Sequence, residues 1–301
     1  MRKMLIAAAL GLSVGMSGLA LAGPVIIDGT DAEEHGGVSG GVNNTGWKYF
    51  QSGFENLLPQ VGNGNKVALC LGCTGNTQTA FASAFDLALK PAGWTRETID
   101  GEVAIANYFA GTALRTLATT GLLYFPTGEG NTSGGMTGAE LAVLNASAGL
   151  INTFVGGAGN PNAGGGLFAH GEGNTAGAWG WLTTLIPGII PIEGGGGGNL
   201  QLTPAGTTAF PSLTNPDIAG ATPWHNYFEG TFGGLQVLVE TTDGPAGRAV
   251  VIGGGAGAQI GCGLEGQPPC NPNQVPEPAT MVLLGIGLLG LGLSRRMKRA
   301  A

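Results

Sequence analysis

Hydrophobic positions fall into three regimes along the chain. Residues 4–21 and 279–293 are almost continuously apolar, while the segments between them alternate between short apolar runs and stretches spaced at helical intervals. Residues 24–28 form a short apolar run that ends in acid. Residues 46–58 place Trp47, Phe50, Phe54, Leu57 and Leu58 on one helical face. Strands are predicted at 66–71 and 95–99, and helices at 78–89 and 102–117. Residues 121–126 read as a strand broken by proline. Thr137 and Glu140 have the spacing of a capping box, which opens a helix running to about residue 155. Residues 164–169 read as a strand buried on both sides, followed by a Trp/Leu-rich helix near 178–185. Residues 235–240 and 248–253 read as a hairpin around Asp243 and Gly244. This alternation predicts an α/β domain with a mainly parallel sheet. No internal repeat is present.

The two apolar runs at the ends have different flanks. Arg2 and Lys3 precede the first, and Ala20 and Ala22 supply small residues at the positions read by signal peptidase. Cleavage is expected after Ala22. The second run follows Val275, Pro276, Glu277 and Pro278 and precedes Arg295, Arg296, Lys298 and Arg299. Its 15 residues are fewer than the roughly 20 that span a bilayer comfortably, although flanking arginines reach the interface by snorkelling. Positive charge after the run places the C-terminus inside and the body outside.

This tail resembles the PEP-CTERM sorting signal of exopolysaccharide-producing Gram-negative bacteria. The Val-Pro-Glu-Pro motif, the short Gly/Leu-rich helix and the terminal basic cluster stand in the required order. The resemblance implies recognition by an exosortase and cleavage near the motif. It further implies transient anchoring in the inner membrane, then delivery to the cell surface or an exopolysaccharide matrix.

Composition narrows the body. Charged residues are only 10% of the chain and glycine accounts for 59 of 301 residues, without a Gly-X-Y period. Setting aside the charged residues of the two ends, the six basic ones and Glu277, leaves six basic against eighteen acidic side chains, a net charge of −12. A phosphate-backbone binder needs the opposite sign, so nucleic acid is excluded as a partner. The organisation reads as signal peptide 1–22, α/β domain 23–253, a Gly/Pro/Cys stalk 254–274 and a sorting signal 275–301.

Within the body, the segments 164–169, 202–206 and 210–214 and the pair Trp224–His225 resemble the flavodoxin-like core of the class I glutamine amidotransferase-like superfamily. The resemblance implies a three-layer domain. It also implies a cysteine nucleophile on the strand-to-helix turn, but here that turn reads His170, Gly171, Glu172, Gly173. With no cysteine or serine there, the family's covalent chemistry does not carry over, and His225 matches the late histidine by position alone. A structural or interaction protein is therefore the first expectation. The alternative is an exported hydrolase acting on carbohydrate or amide.

For that alternative, Asp28, His170, Glu172 and His225 are the candidate crevice, since strand ends of an open α/β sheet converge. His35, His170 and His225 are the only histidines, and Asp31, Glu33 and Glu34 lie close to His35 in sequence. Imidazole and carboxylate suit a divalent metal, but no metal-ligand spacing supports one. No lysine follows the glycine clusters at 156–166 and 194–198, so a phosphate-binding loop is not predicted. No cofactor is called for. The five tryptophans, with Tyr49 and Tyr227, are candidates either for the core or for stacking on sugar rings.

The four cysteines are neighbours in sequence as Cys70–Cys73 and Cys262–Cys270, and three connectivities are open. Export favours oxidation. Cys70 sits within a predicted strand, not at a helix N-terminus where a thiolate is stabilised, so a structural bond is expected over redox chemistry. Cys262 and Cys270 would staple the stalk, limiting the unfolded chain by about 2–3 kcal/mol. Mass mapping of the exported, non-reduced protein is expected to show a peptide linked through Cys262 and Cys270. Free thiols at both, or a Cys262–Cys70 link, would overturn that pairing.

Overall fold

A computed structural model describes residues 23–254, apart from 129–133, 157–163, 172–174, 194–195, 197–198, 220–222 and 243–246. The expected signal peptide, the expected stalk and the sorting segment lie outside the described residues, and so does the expected Cys262–Cys270 bond. Among the described residues no helix is long and apolar enough to cross a membrane.

One ten-stranded mixed sheet organises the body. Its parallel half contains β5 (Thr95–Ile99), β4 (Val67–Leu71), β6 (Leu122–Pro126), β7 (Gly166–His170) and β1 (Val25–Asp28), in that spatial order. β1 is the seam, pairing in parallel with β7 and antiparallel with β12 (Ala249–Gly254). Beyond β12 the sheet is antiparallel. β12 pairs with β11 (Gln236–Thr241) and β10 (Asn226–Gly230), β10 with β8 (Ile189–Glu193), and β11 with β9 (Leu200–Leu202). A separate two-stranded hairpin joins β2 (Gly36–Ser39) to β3 (Val42–Asn44).

Strict alternation divides the side chains of the parallel strands between two cores. Ile26, Ala68, Cys70, Leu122, Tyr124 and Phe168 point to one face. Ile27, Leu69, Leu71, Leu123, Phe125 and Leu167 point to the other. The first face is covered by α1 (Thr45–Leu57) and α2 (Gly75–Leu87), with α7 (Pro204–Ala209) and α8 (Asn215–Ala219) alongside. The second is covered by α3 (Glu102–Phe109), α4 (Gly138–Ala146), α5 (Ala148–Gly156) and α6 (Leu182–Leu185). The result is an α/β three-layer arrangement compatible with a flavodoxin-like fold, extended by antiparallel strands: β11 and β12 form the expected hairpin, while β8, β9 and β10 are not announced by the hydrophobic pattern.

Helix α1 follows the pattern of its apolar residues. Trp47, Phe50, Phe54 and Leu57 are all buried on one stripe. The Phe50 ring lies 4.9 Å from Tyr124 and 5.1 Å from Phe168, and Phe54 lies 5.5 Å from Phe168. Tilted and edge-on pairs of this kind add to the area they bury. Gly53 lets the helix sit this close, because a Cβ there would meet the Phe168 ring at 2.5 Å.

Two predicted helices are shorter than their patterns. The helix expected over 102–117 ends at Phe109, because Gly111 adopts φ +73°, a left-handed conformation that stops a helix. The helix expected to run to residue 155 breaks at Ser147, whose φ −93° and ψ 7° leave the helical region. Its capping box is present. The Thr137 hydroxyl accepts from the Glu140 amide at 3.3 Å, and the Thr137 amide donates to Glu140 Oε2 at 2.8 Å. Cys70 and Cys73 are joined in a disulfide between β4 and α2, both buried.

Because Phe50 stands where α1 meets two strands, Phe50→Ala is expected to cost about 3–5 kcal/mol. The loss should appear as a lower urea midpoint at unchanged slope. A loss below about 1 kcal/mol would mean that the aromatic cluster does not hold α1 on the sheet.

Candidate functional site

The carboxyl ends of the parallel strands carry a buried polar centre. Register places the last residue of β1, Asp28, directly opposite the last residue of β7, His170. His170 Nε2 lies 3.5 Å from Asp28 Oδ2 and 3.4 Å from Thr30 Oγ1. On the other side of the ring, His170 Nδ1 is in close contact with Glu33 Oε2. Tyr124 on β6 donates its hydroxyl to Glu33 Oε1 at 3.1 Å. The Tyr49 side chain on α1 lies close enough to Asp28 to act on its charge. Asp28, Thr30, Glu33, His170, Tyr49 and Tyr124 are all fully buried.

The loop after β1 is folded back to supply these partners. Asp28 Oδ1 accepts from the Thr30 amide at 2.8 Å, and Oδ2 accepts from the Thr30 hydroxyl at 3.2 Å. This is the local turn that a short carboxylate favours. Further along, the Glu33 carbonyl accepts from Trp47 Nε1 at 2.6 Å and from Asn76 Nδ2 at 3.1 Å. The loop is tied to α1 and α2.

A second cluster lies nearer the surface. His35 and His225 both bring Nε2 to the same oxygen of Asp31, at 3.1 and 3.0 Å. Asp31 is 1% exposed, His225 14% and His35 43% by side chain, so the cluster reaches solvent through His35.

Burial sets the protonation of the inner pair. Loss of hydration raises Asp28 to about 7 against the hydrogen bonds from Thr30 and the nearby Tyr49 hydroxyl group, which favour its charged form. It lowers His170 to about 3, with nearby His225 acting in the same direction. Near neutral pH His170 is a neutral imidazole. Its contact with Glu33 fixes the proton on Nδ1, which leaves the Nε2 lone pair facing Thr30 and Asp28. Burial also raises the Tyr49 hydroxyl well above its usual range. Chemically the centre offers a base, a protonatable carboxyl and a hydroxyl in mutual reach, closed to solvent.

Of the four expected crevice residues, Asp28 and His170 meet directly. His225 is turned to Asp31 instead, and Glu172 lies outside the described residues. The sequence reading did not single out Thr30, Tyr49 or Tyr124 for this site, and it noted Glu33 only as a neighbour of His35. A buried strand ending in Asp28, followed within five residues by Thr30, Asp31 and Glu33, is the signal that could have found them. Among the described residues no group of three or more His, Cys, Asp or Glu side chains is arranged to hold a metal ion. Trp47, Trp94, Trp179, Trp181 and Trp224 are all buried, and Arg248 sits over the Tyr227 ring. The tryptophans belong to the core and present no stacking face.

Residues 274–296 match the PEP-CTERM protein-sorting motif. The chain carries an exosortase sorting signal. That signal implies export and sorting toward the cell surface. It covers the tail and says nothing of the body. No curated protein and no solved structure matches the chain. No family model or solved structure supports the amidotransferase-like resemblance of the body; the sheet is compatible with a flavodoxin-like fold and carries the likeness no further.

The opposed shifts at Asp28 and His170 make a testable pair. From about pH 4 to 7 the folded chain keeps an Asp28 proton that the unfolded chain has lost, so this contribution to stability falls as pH rises. From about pH 3 to 6.5 the unfolded chain binds a His170 proton that the folded chain does not, so this contribution rises with pH. Each slope is about 1.4 kcal/mol per pH unit, and the two nearly cancel between about pH 4 and 6.5. Asp28→Asn is expected to leave stability rising with pH across that window, and His170→Gln to leave it falling. Urea midpoints taken across the window check the signs; identical pH profiles in both variants and the parent would refute the assignment.

Proposed function

We propose that the chain is exported through its N-terminal signal and held briefly at the inner membrane by its C-terminal apolar segment. An exosortase then processes it and delivers it to the cell surface or an exopolysaccharide matrix as a structural or interaction protein. The observation that carries this reading is the sorting-motif match over residues 274–296. Val275, Pro276, Glu277 and Pro278 stand inside that match, with the basic residues beginning at its end. The body supports it in two ways. Cys70 and Cys73 are oxidised, which suits an exported protein. The turn after β7 lacks the nucleophile that an active amidotransferase-like enzyme would carry there. Signal peptidase and exosortase are the partners proposed, with cleavage after Ala22 and near the Val-Pro-Glu-Pro motif.

Replacing Pro276 and Glu277 with alanine is expected to raise the membrane-attached fraction and lower the released fraction, read by fractionation and immunoblotting. Unchanged fractions would sink the sorting claim.

A further inference from the structure

The buried centre has one more neighbour, the peptide bond that joins Gly29 to Thr30. The Gly29 carbonyl oxygen accepts two backbone hydrogen bonds, from the His225 amide at 2.8 Å and the Asn226 amide at 3.1 Å. Two amides on one carbonyl occur at β-bulges, and bulges are common beside active sites. The same pair of donors is what stabilises an oxyanion during acyl transfer. Directly after that carbonyl stands the Thr30 hydroxyl, 3.4 Å from His170 Nε2. The Thr30 nitrogen lies 2.8 Å from Asp28 Oδ1. Nucleophile, base, oxyanion donors and a carboxyl at the leaving nitrogen thus surround a single peptide bond.

We propose that the chain cleaves itself between Gly29 and Thr30 by an N-to-O acyl shift followed by hydrolysis. His170 Nε2 takes the hydroxyl proton, and Thr30 Oγ1 bonds to the Gly29 carbonyl carbon. The amides of His225 and Asn226 hold the oxyanion. The carbon–nitrogen bond then breaks, its electron pair stays on the Thr30 nitrogen, and Asp28 supplies that nitrogen with a proton, later regained from His170. The product is an ester between Gly29 and Thr30 Oγ1. One water molecule hydrolyses it, leaving a Gly29 carboxylate, the restored hydroxyl and a free Thr30 α-amine. No oxidant or reductant is needed.

The seclusion of the centre favours this reaction over one on an outside substrate. Thr30, His170, Asp28 and Glu33 are all 0% exposed, which bars a substrate of glycan or peptide size but leaves the chain's own backbone within reach. Proximity of this kind replaces an encounter by a fixed geometry. Glu33 acts as a positioning residue, holding the imidazole so that Nε2 faces the hydroxyl. Asp28, raised to about 7, retains a protonated fraction at neutral pH.

The test uses the full chain, purified folded and incubated near neutral pH with and without hydroxylamine, which intercepts an ester. Intact mass under denaturing conditions is expected to show a fragment ending at Gly29, and N-terminal sequencing a new start at Thr30. Thr30→Val, which keeps the shape and removes the hydroxyl, is expected to abolish cleavage, and Thr30→Ser to retain it. His170→Gln should slow it by roughly 10²-fold or more, the range for losing a general base. Glu33→Gln should shift the pH profile of the rate. An unbroken Gly29–Thr30 bond after hydroxylamine treatment of the cooperatively folding parent overturns the proposal, as does cleavage of Thr30→Val at the parent rate.

Discussion

Two ionisable side chains must share one dry place, and much of the body is arranged around that requirement. Asp28 and His170 end adjacent central strands at the line where the parallel half of the sheet meets the antiparallel half. Burying either alone would leave a polar group without the water it loses. The loop from Gly29 onward therefore turns back and supplies Thr30 and Glu33, and Tyr49 and Tyr124 close the remaining sides. Trp47 and Asn76 hold the loop through the Glu33 carbonyl, which couples the placement of α1 and α2 to the polar centre.

The scarcity of basic residues gives the acids an unusual part. Six lysines and arginines cannot partner eighteen carboxylates in the body, and several acids are satisfied by neutral donors instead. Glu140 is buried at 2% exposure and accepts from the amides of Gly101 and Thr137. Asp28 is met by the amide and the hydroxyl of Thr30, and Asp31 by two imidazoles. Carboxylates here serve as acceptors that fasten loops and helix starts, a role that survives salt better than a surface ion pair.

Periodicity made the parallel half legible. Phe50 and Phe54 mark the buried stripe of α1, and Thr137 with Glu140 marks the start of α4. The antiparallel half was harder, because β8 carries Pro191 and β9 is only three residues long, so neither shows a usable alternation. Asp28 and His170 were legible as a pair because each follows an apolar run. Thr30 was not, since its importance comes from the fold-back of its own loop and from amides almost 200 residues away. The same holds for Asp31, which reads as one acid among several until His225 arrives from the far side of the sheet.

The first and last strands of the body are antiparallel neighbours, with Val25 opposite Gly254. The chain therefore enters and leaves at the same end of the sheet, and the polar centre lies at the other. Mechanical loading follows from that arrangement. Tension shared between the two ends would peel β1 from β12, breaking their hydrogen bonds one at a time. Tension through Gly254 alone runs along β12 and is borne in shear by the ladders to β1 and β11 together. A body relieved of its leading segment and pulled only by its tail would carry load in its stronger direction.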